Sequence, residues 1–279
     1  MKLTKVAVIA LVASVGLTGL GLSAEAATTS ADTTGKVQFK APTDPSGPTV
    51  KPDTPDEEIT TDTGNLTTGT LRMEHVPDFD FGSVFYRSGS QEFWAKNEGY
   101  KTGAVQSYIP NFVQVTDERG AEADWNVSVS ATVFTADKGT ATEKRLDNTS
   151  IQLREKKLTN NVYDYAPFDL TGSGAETATR LEGFDVTSGT IPTTGSLTIF
   201  GTKAGANTEG SKSSIVFNTA YTEGTSYSAP EDEVEVSGVI DRKLDGKNSG
   251  VVLVKPASDR ALVGKEYVST LTWTVSSSI

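Results

Sequence analysis

The chain has 279 residues, no cysteine, a single histidine, and a formal net charge of −11 with a pI near 4.7. This acidic balance argues against nucleic acid as a partner, because phosphate recognition requires clustered Lys and Arg. The lack of cysteine excludes a disulfide framework and Cys/His nucleophile pairs, and it removes most kinds of zinc site.

The N-terminus has the features of a secretory signal peptide, residues 1–26. Two lysines precede an apolar run over residues 6–22, and small residues then predict cleavage before Ala27. The run is roughly 17 residues long, near the lower limit for crossing a bilayer, and no basic cluster follows it. An uncleaved N-terminal anchor is the alternative interpretation. We therefore expect a secreted protein without a transmembrane anchor.

Residues 27–58 combine a short predicted strand with a linker. Apolar and polar residues alternate over Val37–Lys40, which predicts one strand. The segment 41–58 contains five prolines among Asp, Thr, Ser and Gly. Because proline cannot donate a backbone hydrogen bond, we expect an extended, semi-rigid linker here. A recognition peptide for an aromatic groove is the alternative.

The remaining chain, 59–279, reads as short strands separated by turns. Every second residue from Trp125 to Val133 is apolar, and Leu271–Val275 repeats that period of two. Val251–Val254 is a continuous apolar strand, and helical periodicity is nearly absent. The pattern predicts a single all-β domain, an antiparallel sandwich or Greek-key arrangement with long loops.

The residues suited to catalysis are few. His75 shares a strand face with apolar neighbours, which indicates a structural histidine, and no Gly-x-Ser-x-Gly elbow is present. Asp78 with Asp80, Asp117 with Glu118, and the acidic run 231–233 are candidate carboxylate pairs for a glycosidase or for calcium. Such pairs are ordinary on an acidic surface. We expect a protein that is not an enzyme and needs no cofactor or metal.

The tryptophans have two interpretations. Exposed indoles could stack on sugar rings, whereas buried indoles would fill a β core and need one hydrogen-bond partner each. The apolar neighbours of Trp125 and Trp273 favour the core, while Trp94 has no clear preference. Several basic residues are candidates for a contact patch, although a solvated surface is the alternative for all of them: Lys101, Arg119, Lys144, Arg145, Arg154, Lys156 and Lys157.

Three segments carry short motifs in a fixed order along the chain. Residues 71–82 end in Val-Pro-Asp-Phe-Asp-Phe-Gly, residues 113–127 read Val-Gln-Val-Thr-Asp-Glu-Arg-Gly and then, after a short spacer, Trp-Asn-Val, and residues 267–275 end in Trp-Thr-Val. Together these segments resemble the WxL-domain surface proteins of Gram-positive bacteria. The resemblance covers nearly the whole mature chain. It singles out motif residues, Trp125, Val127, Trp273 and Val275, and box residues, Pro77, Phe79, Asp80, Phe81, Gly82, Asp117, Arg119 and Gly120.

The resemblance implies non-covalent attachment to the cell wall through peptidoglycan, beside other cell-surface proteins in a complex. Both tripeptides end in valine instead of leucine, a change that conserves the strand face more surely than it conserves binding. No Leu-Pro-x-Thr-Gly sorting signal occurs, so we expect wall retention without a covalent bond. The alternative is an adhesin or complex subunit whose main ligand is a protein, with Val37–Lys40 as a candidate donor strand.

Overall fold

The computed structural model describes residues 34–38, 40, 47–52, 54–120, 123–161, 184–202, 208–222 and 224–277. The predicted signal peptide, 1–26, lies outside the described residues. The chain divides into two compact units, 1–39 and 40–279. Val37, Gln38 and Lys40 are not in a strand, so the strand predicted there is wrong for the residues that are described. A strand needs one buried face, and Val37 is 77% exposed.

The second unit is built mainly from strands, and it includes a short 3-10 helix at Leu244–Gly246. No α-helix occurs among the described residues, which confirms the all-β prediction. Within the same residues, no helix is long and apolar enough to cross a membrane. The strands, in chain order, are β1 Val50–Lys51, β2 Thr54–Glu58, β3 Thr60–Thr61, β4 Leu71–His75, β5 Gln91–Lys96, β6 Glu98–Thr102, β7 Val105–Ile109, β8 Phe112–Asp117, β9 Trp125–Ala131, β10 Phe134–Ala136, β11 Lys144–Leu146, β12 Ser150–Leu153, β13 Lys157–Asn160, β14 Phe184–Val186, β15 Gly189–Thr190, β16 Leu197–Thr202, β17 Ser211–Val216, β18 Val234–Val236, β19 Val239–Asp241, β20 Lys247–Lys255 and β21 Leu271–Ser277.

These strands pair into small antiparallel sheets. Three sheets have four strands each, in the orders β15-β12-β20-β5, β13-β17-β8-β4 and β14-β16-β9-β21. A three-stranded sheet has the order β3-β6-β7, and β1-β2, β10-β11 and β18-β19 are two-stranded ribbons. The arrangement as a sandwich or Greek key remains a prediction.

The inward faces of the three large sheets share one hydrophobic core. Strand β9 shows how the sequence builds it, since Trp125, Val127 and Val129 are buried while the residues between them are more exposed. Full burial of one such side chain contributes about 1.5–3 kcal/mol to stability. A second, smaller cluster is formed by Ile59, Tyr100, Ile109, Phe112, Val216 and Tyr221.

The second half of the predicted linker is part of the folded unit. Val50 exchanges two hydrogen bonds of 2.9 Å with the side chain of Gln114, and Thr159 Oγ1 donates to the Pro52 carbonyl. Strands β1 and β2 therefore differ from the expected extended linker, while residues 41–46 lie outside the description. A two-stranded ribbon tolerates proline because one of its edges makes no ladder hydrogen bonds.

Candidate functional site

The two Trp-x-Val tripeptides lie side by side on neighbouring strands. In the register of β9 and β21, Trp273 is opposite Val129, and Val275 is opposite Val127. Both motifs therefore present their apolar residues to the same core. The sheet order makes β21 the edge strand beside β9.

Trp125 is enclosed in this core. Its side chain is 1% exposed and meets the rings of Phe200 and Phe184 edge-on, with centroids 5.2 and 6.0 Å away. The indole N–H donates a hydrogen bond of 2.8 Å to Thr208 Oγ1. Val127, two residues on, has no exposed surface. A polymer on the protein surface cannot touch either side chain, so their contribution is to the position of β9.

The Asp-Glu-Arg-Gly box, residues 117–120, is linked to the first motif by hydrogen bonds through Thr208. Thr208 Oγ1 donates to Asp117 Oδ2 at 3.2 Å, and Arg119 donates to both oxygens of the same carboxylate at 2.8 and 2.9 Å. The hydrogen bond with Asp117 raises the pKa of Arg119. Gly120 has a φ of +68°, which glycine adopts at little cost.

Arg119 also connects this box to the end of the second motif strand. Its guanidinium donates to Ser277 Oγ at 2.6 Å and to the carbonyl oxygens of Asp124 and Ala123, just before β9. A fork of fixed donors can hold several acceptors at once, which a lysine could not do in the same geometry. Arg119 therefore joins the start of β9 to the end of β21.

The Val-Pro-Asp-Phe-Asp-Phe-Gly box supports the second motif. The Phe79 ring lies edge-on to Trp273 at 6.0 Å and to Phe217 at 5.9 Å. Pro77 and Phe81 are buried. Trp273 and Val275 are half-buried, so part of each side chain remains at the surface.

Asp80 and Gly82 form the outer part of that box. Asp80 accepts a hydrogen bond of 2.7 Å from the Gly82 backbone and pairs with Lys96 at 3.0 Å. Lys96 also pairs with Asp232 at 2.8 Å. Burial lowers the pKa of Lys96, but hydrogen bonds to Asp232 and Asp80 outweigh this effect and raise it overall. Gly82 has a φ of +72°, a conformation that residues other than glycine adopt only with strain.

The outward residues of the two motif strands form a surface that we call the hydroxyl face. It also includes one threonine of β16, which pairs with the other side of β9. The members are Asn126, Ser128, Ser130, Thr198, Thr272, Thr274 and Ser276. Inspection of the sequence alone did not single them out, although the period of two already set them opposite the tryptophan face.

A groove of about 560 Å³ lies at one end of the hydroxyl face. The groove is lined by Thr132, which follows β9, and by Thr270, which precedes β21. An ion pair between Asp137 and Lys265, 2.7 Å apart, lies on one side of it. Thr132 Oγ1 accepts a hydrogen bond from the Thr270 backbone at 2.8 Å. The groove is therefore built from the continuations of both motif strands.

His75 lies inside the protein and is held on both ring nitrogens. Nε2 is 3.0 Å from Glu98, Nδ1 is 3.3 Å from Thr61 Oγ1, and the ring lies tilted by 34° against Phe112 with the centroids 4.4 Å apart. Burial raises the pKa of Glu98, and the contact with His75 partly offsets that effect. Among the described residues, no group of three His, Asp or Glu side chains is placed to hold a metal ion.

Most basic residues considered for a wall contact are engaged within the chain. Lys157 Nζ donates to the Tyr221 carbonyl at 2.7 Å, and burial lowers the pKa of Lys156 to about 8. Trp94 is half-buried on β5. Carboxylates pair with four of the others: Lys101 with Asp62, Arg119 with Asp117, Arg145 with Asp147, and Arg154 with Glu92.

Comparison with known proteins gives one match. A family model described as "WxL domain surface cell wall-binding" matches residues 26–278. The matched range contains both tripeptides and both supporting boxes. No curated protein and no solved structure matches the chain.

Proposed function

The chain belongs to the WxL family of cell wall-binding surface domains, and from this premise we propose that it attaches non-covalently to the Gram-positive wall through peptidoglycan. The observation that carries the proposal is the family match over nearly the whole chain. Both motifs lie in one sheet, and each box contacts at least one motif strand, which supports the proposal. Export through a signal peptide at 1–26 is part of the same proposal.

We propose that the protein acts by binding and not by catalysis. His75 is 2% exposed and engaged by Glu98, so it is poorly placed to meet a substrate. Asp117 is engaged by Arg119, and Asp80 by Lys96. Turnover of labelled wall fragments by the purified chain would contradict this part of the proposal.

The direct test is a pull-down of residues 27–279 on insoluble peptidoglycan, with circular dichroism melts of every variant. Saturable binding of the wild type is expected. Trp125→Ala should lose binding together with its cooperative melt, because its indole fills the core. Trp273→Ala should keep a cooperative melt at lower temperature, since this side chain is half-buried. Absence of wild-type binding would overturn the proposal.

A second proposal is that the protein also binds another surface protein, as its main ligand or as part of a complex. The β18–β19 ribbon supports it, because Val234, Val236 and Val239 are 38%, 63% and 68% exposed. Val236 is opposite Val239, so the exposed valines share one face of the ribbon. Exposed apolar patches of this kind are typical of interaction sites. Loss of a co-purifying surface protein from cells carrying Val236→Ser/Val239→Ser, with wall binding unchanged, would support this role.

A further inference from the structure

The hydroxyl face is a regular grid of hydrogen-bonding groups. Ser128 lies opposite Thr274 on one side and Thr198 on the other, and Ser130 lies opposite Thr272. Directly opposed residues are about 5 Å apart across strands, and same-face residues repeat about every 7 Å along a strand. Each hydroxyl both donates and accepts. The surface can therefore hydrogen-bond a ligand at many points.

These groups are not used by the protein itself. None of the seven side chains of the hydroxyl face makes a side-chain hydrogen bond to another residue in the described part of the chain. By contrast, the buried hydroxyls of Thr208 and Thr159 are engaged in hydrogen bonds within the domain. The donors and acceptors of the hydroxyl face are thus available to a ligand.

The hydroxyl face is uncharged in a strongly acidic protein. Its members are Ser, Thr and Asn, whereas the chain has a net charge of −11. The nearest charge in the sheet is Asp185 of β14, which pairs with Gly201 on the far side of β16. An anionic ligand would be repelled by the overall charge and would find no cation on the hydroxyl face. In the groove at its end, the charges of Lys138 and Lys265 are balanced by those of Asp137 and Glu266. The matching ligand is therefore a neutral, polyhydroxylated one.

The shape of the surface favours an extended polymer over a single sugar. Strand β9 has seven residues, and a strand of that length spans about 23 Å. The alternation of the two strands continues through Thr132 and Thr270 into the groove of about 560 Å³. One continuous track therefore runs from the groove along the hydroxyl face.

We propose that this track, the hydroxyl face with its groove, binds the sugar backbone of peptidoglycan, an uncharged run of N-acetylated amino sugars. The proposal rests on the proposed function and names the surface that performs it. In this arrangement the motif tryptophans pack on the core side of β9 and β21 and fix the position of both strands. The outward residues of the two strands contact the polymer. The Trp-x-Val motif thus acts through its outward neighbours.

The test compares three variants with the wild type, all as residues 27–279, on insoluble peptidoglycan. Ser128→Ala/Thr272→Val/Thr274→Val removes three hydroxyls, and the two Thr→Val changes keep the β-branched shape. We expect an apparent affinity at least about tenfold weaker, because each lost hydrogen bond contributes modestly. Thr272→Ser/Thr274→Ser keeps both hydroxyls and should bind within about twofold of the wild type. Thr60→Val/Thr190→Val, at exposed strand positions in other sheets, is the matched control.

The outcomes separate this inference from the proposed function. Absence of wild-type binding overturns both. Wild-type binding that the triple variant retains overturns the hydroxyl face as the contact and leaves wall binding standing. Binding lost in the triple variant, kept in the serine variant and in the control, and competed by soluble chitin oligosaccharides supports the proposal. If the triple variant melts early, Ser128→Ala alone is measured, with a loss of about threefold expected and no loss overturning the inference.

Discussion

The indole N–H of Trp125 and the hydroxyl of Thr208 form a buried hydrogen bond of 2.8 Å. The same hydroxyl donates to Asp117, whose carboxylate holds Arg119. The first motif, the Asp-Glu-Arg-Gly box and a residue distant in sequence therefore form one polar network under the sheet. A buried network of this kind is stabilising only when every member finds a partner.

Thr208→Val is expected to destabilise the domain by about 1–3 kcal/mol, because it leaves the buried indole N–H without an acceptor. Urea unfolding monitored by tryptophan fluorescence measures the change. Thr208→Ser keeps the hydroxyl and should lie within about 1 kcal/mol of the wild type. A Thr208→Val variant as stable as the wild type would show that the network does not stabilise β9.

Phe79 and Trp273 should be energetically coupled. Their edge-on contact predicts a coupling free energy of about 0.5–1.5 kcal/mol in a double-mutant cycle of Phe79→Leu and Trp273→Leu. Trp94→Leu makes a control cycle with Phe79, since these two rings make no contact in the described structure, and its coupling should be near zero. Equal coupling in both cycles would mean that the box does not act through Trp273.

Asp259 should make stability depend on acid pH. Burial opposes its ionisation, but hydrogen bonds from Asn148 and Thr149, of 2.8 to 2.9 Å, outweigh that effect and lower its pKa below the ordinary 3.8. The unfolded chain then binds the proton more readily, so this contribution is complete above pH 3.8 and disappears as the pH falls through the lowered pKa.

Asp259→Asn is therefore expected to cost about 1–3 kcal/mol at pH 7 and progressively less on acidification. Urea unfolding at a series of pH values checks it. Asp245→Asn, at an exposed position, is the matched control and should change neither the stability nor its slope. A constant difference between Asp259→Asn and the wild type down to pH 2 would contradict the assignment.

Gly201→Ala is expected to destabilise the sheet by about 1–3 kcal/mol through overpacking. A Cβ atom there would lie 2.5 Å from the Trp125 carbonyl oxygen, and backbone cannot move aside as a flexible side chain can. Gly189→Ala is the control, because its Cβ would meet only Leu197 methyl groups at 3.4 and 3.5 Å. Thermal melts of the two variants should differ by several degrees; equal melts would show that β16 shifts without cost.

The local sequence pattern predicted that each motif segment is a strand and which of its residues face inward, but it did not predict which strand it pairs with. The period of two in β9 and β21 gave the inward positions of Trp125 and Trp273, since alternation depends only on neighbouring residues. The pairing of the two strands depends on the whole chain between them. The contacts of the Pro-rich segment could not be assigned from local pattern for a similar reason, because the side chain that binds Val50 is on distant Gln114.

The sequence predicted the tryptophans as the candidate site, whereas in the structure the residues between the inward positions face the surface. Ser, Thr and Asn on a strand carry no distinctive signal in one sequence, because they are common on every β surface. Only the registers of β9 with β16 and β21 bring Thr198, Ser128 and Thr274 into one row.

The pairing of Leu271 with Ala131 also sets the order in which the protein can form. Strand β21 joins β9 only after all the chain between them has been delivered, and such distant contacts close slowly because loop entropy must be overcome first. While the chain is being synthesised, the edge of β9 that pairs with β21 therefore stays unpaired until residues 271–277 are available. The sheet that holds both Trp-x-Val motifs is complete only when this late strand has paired.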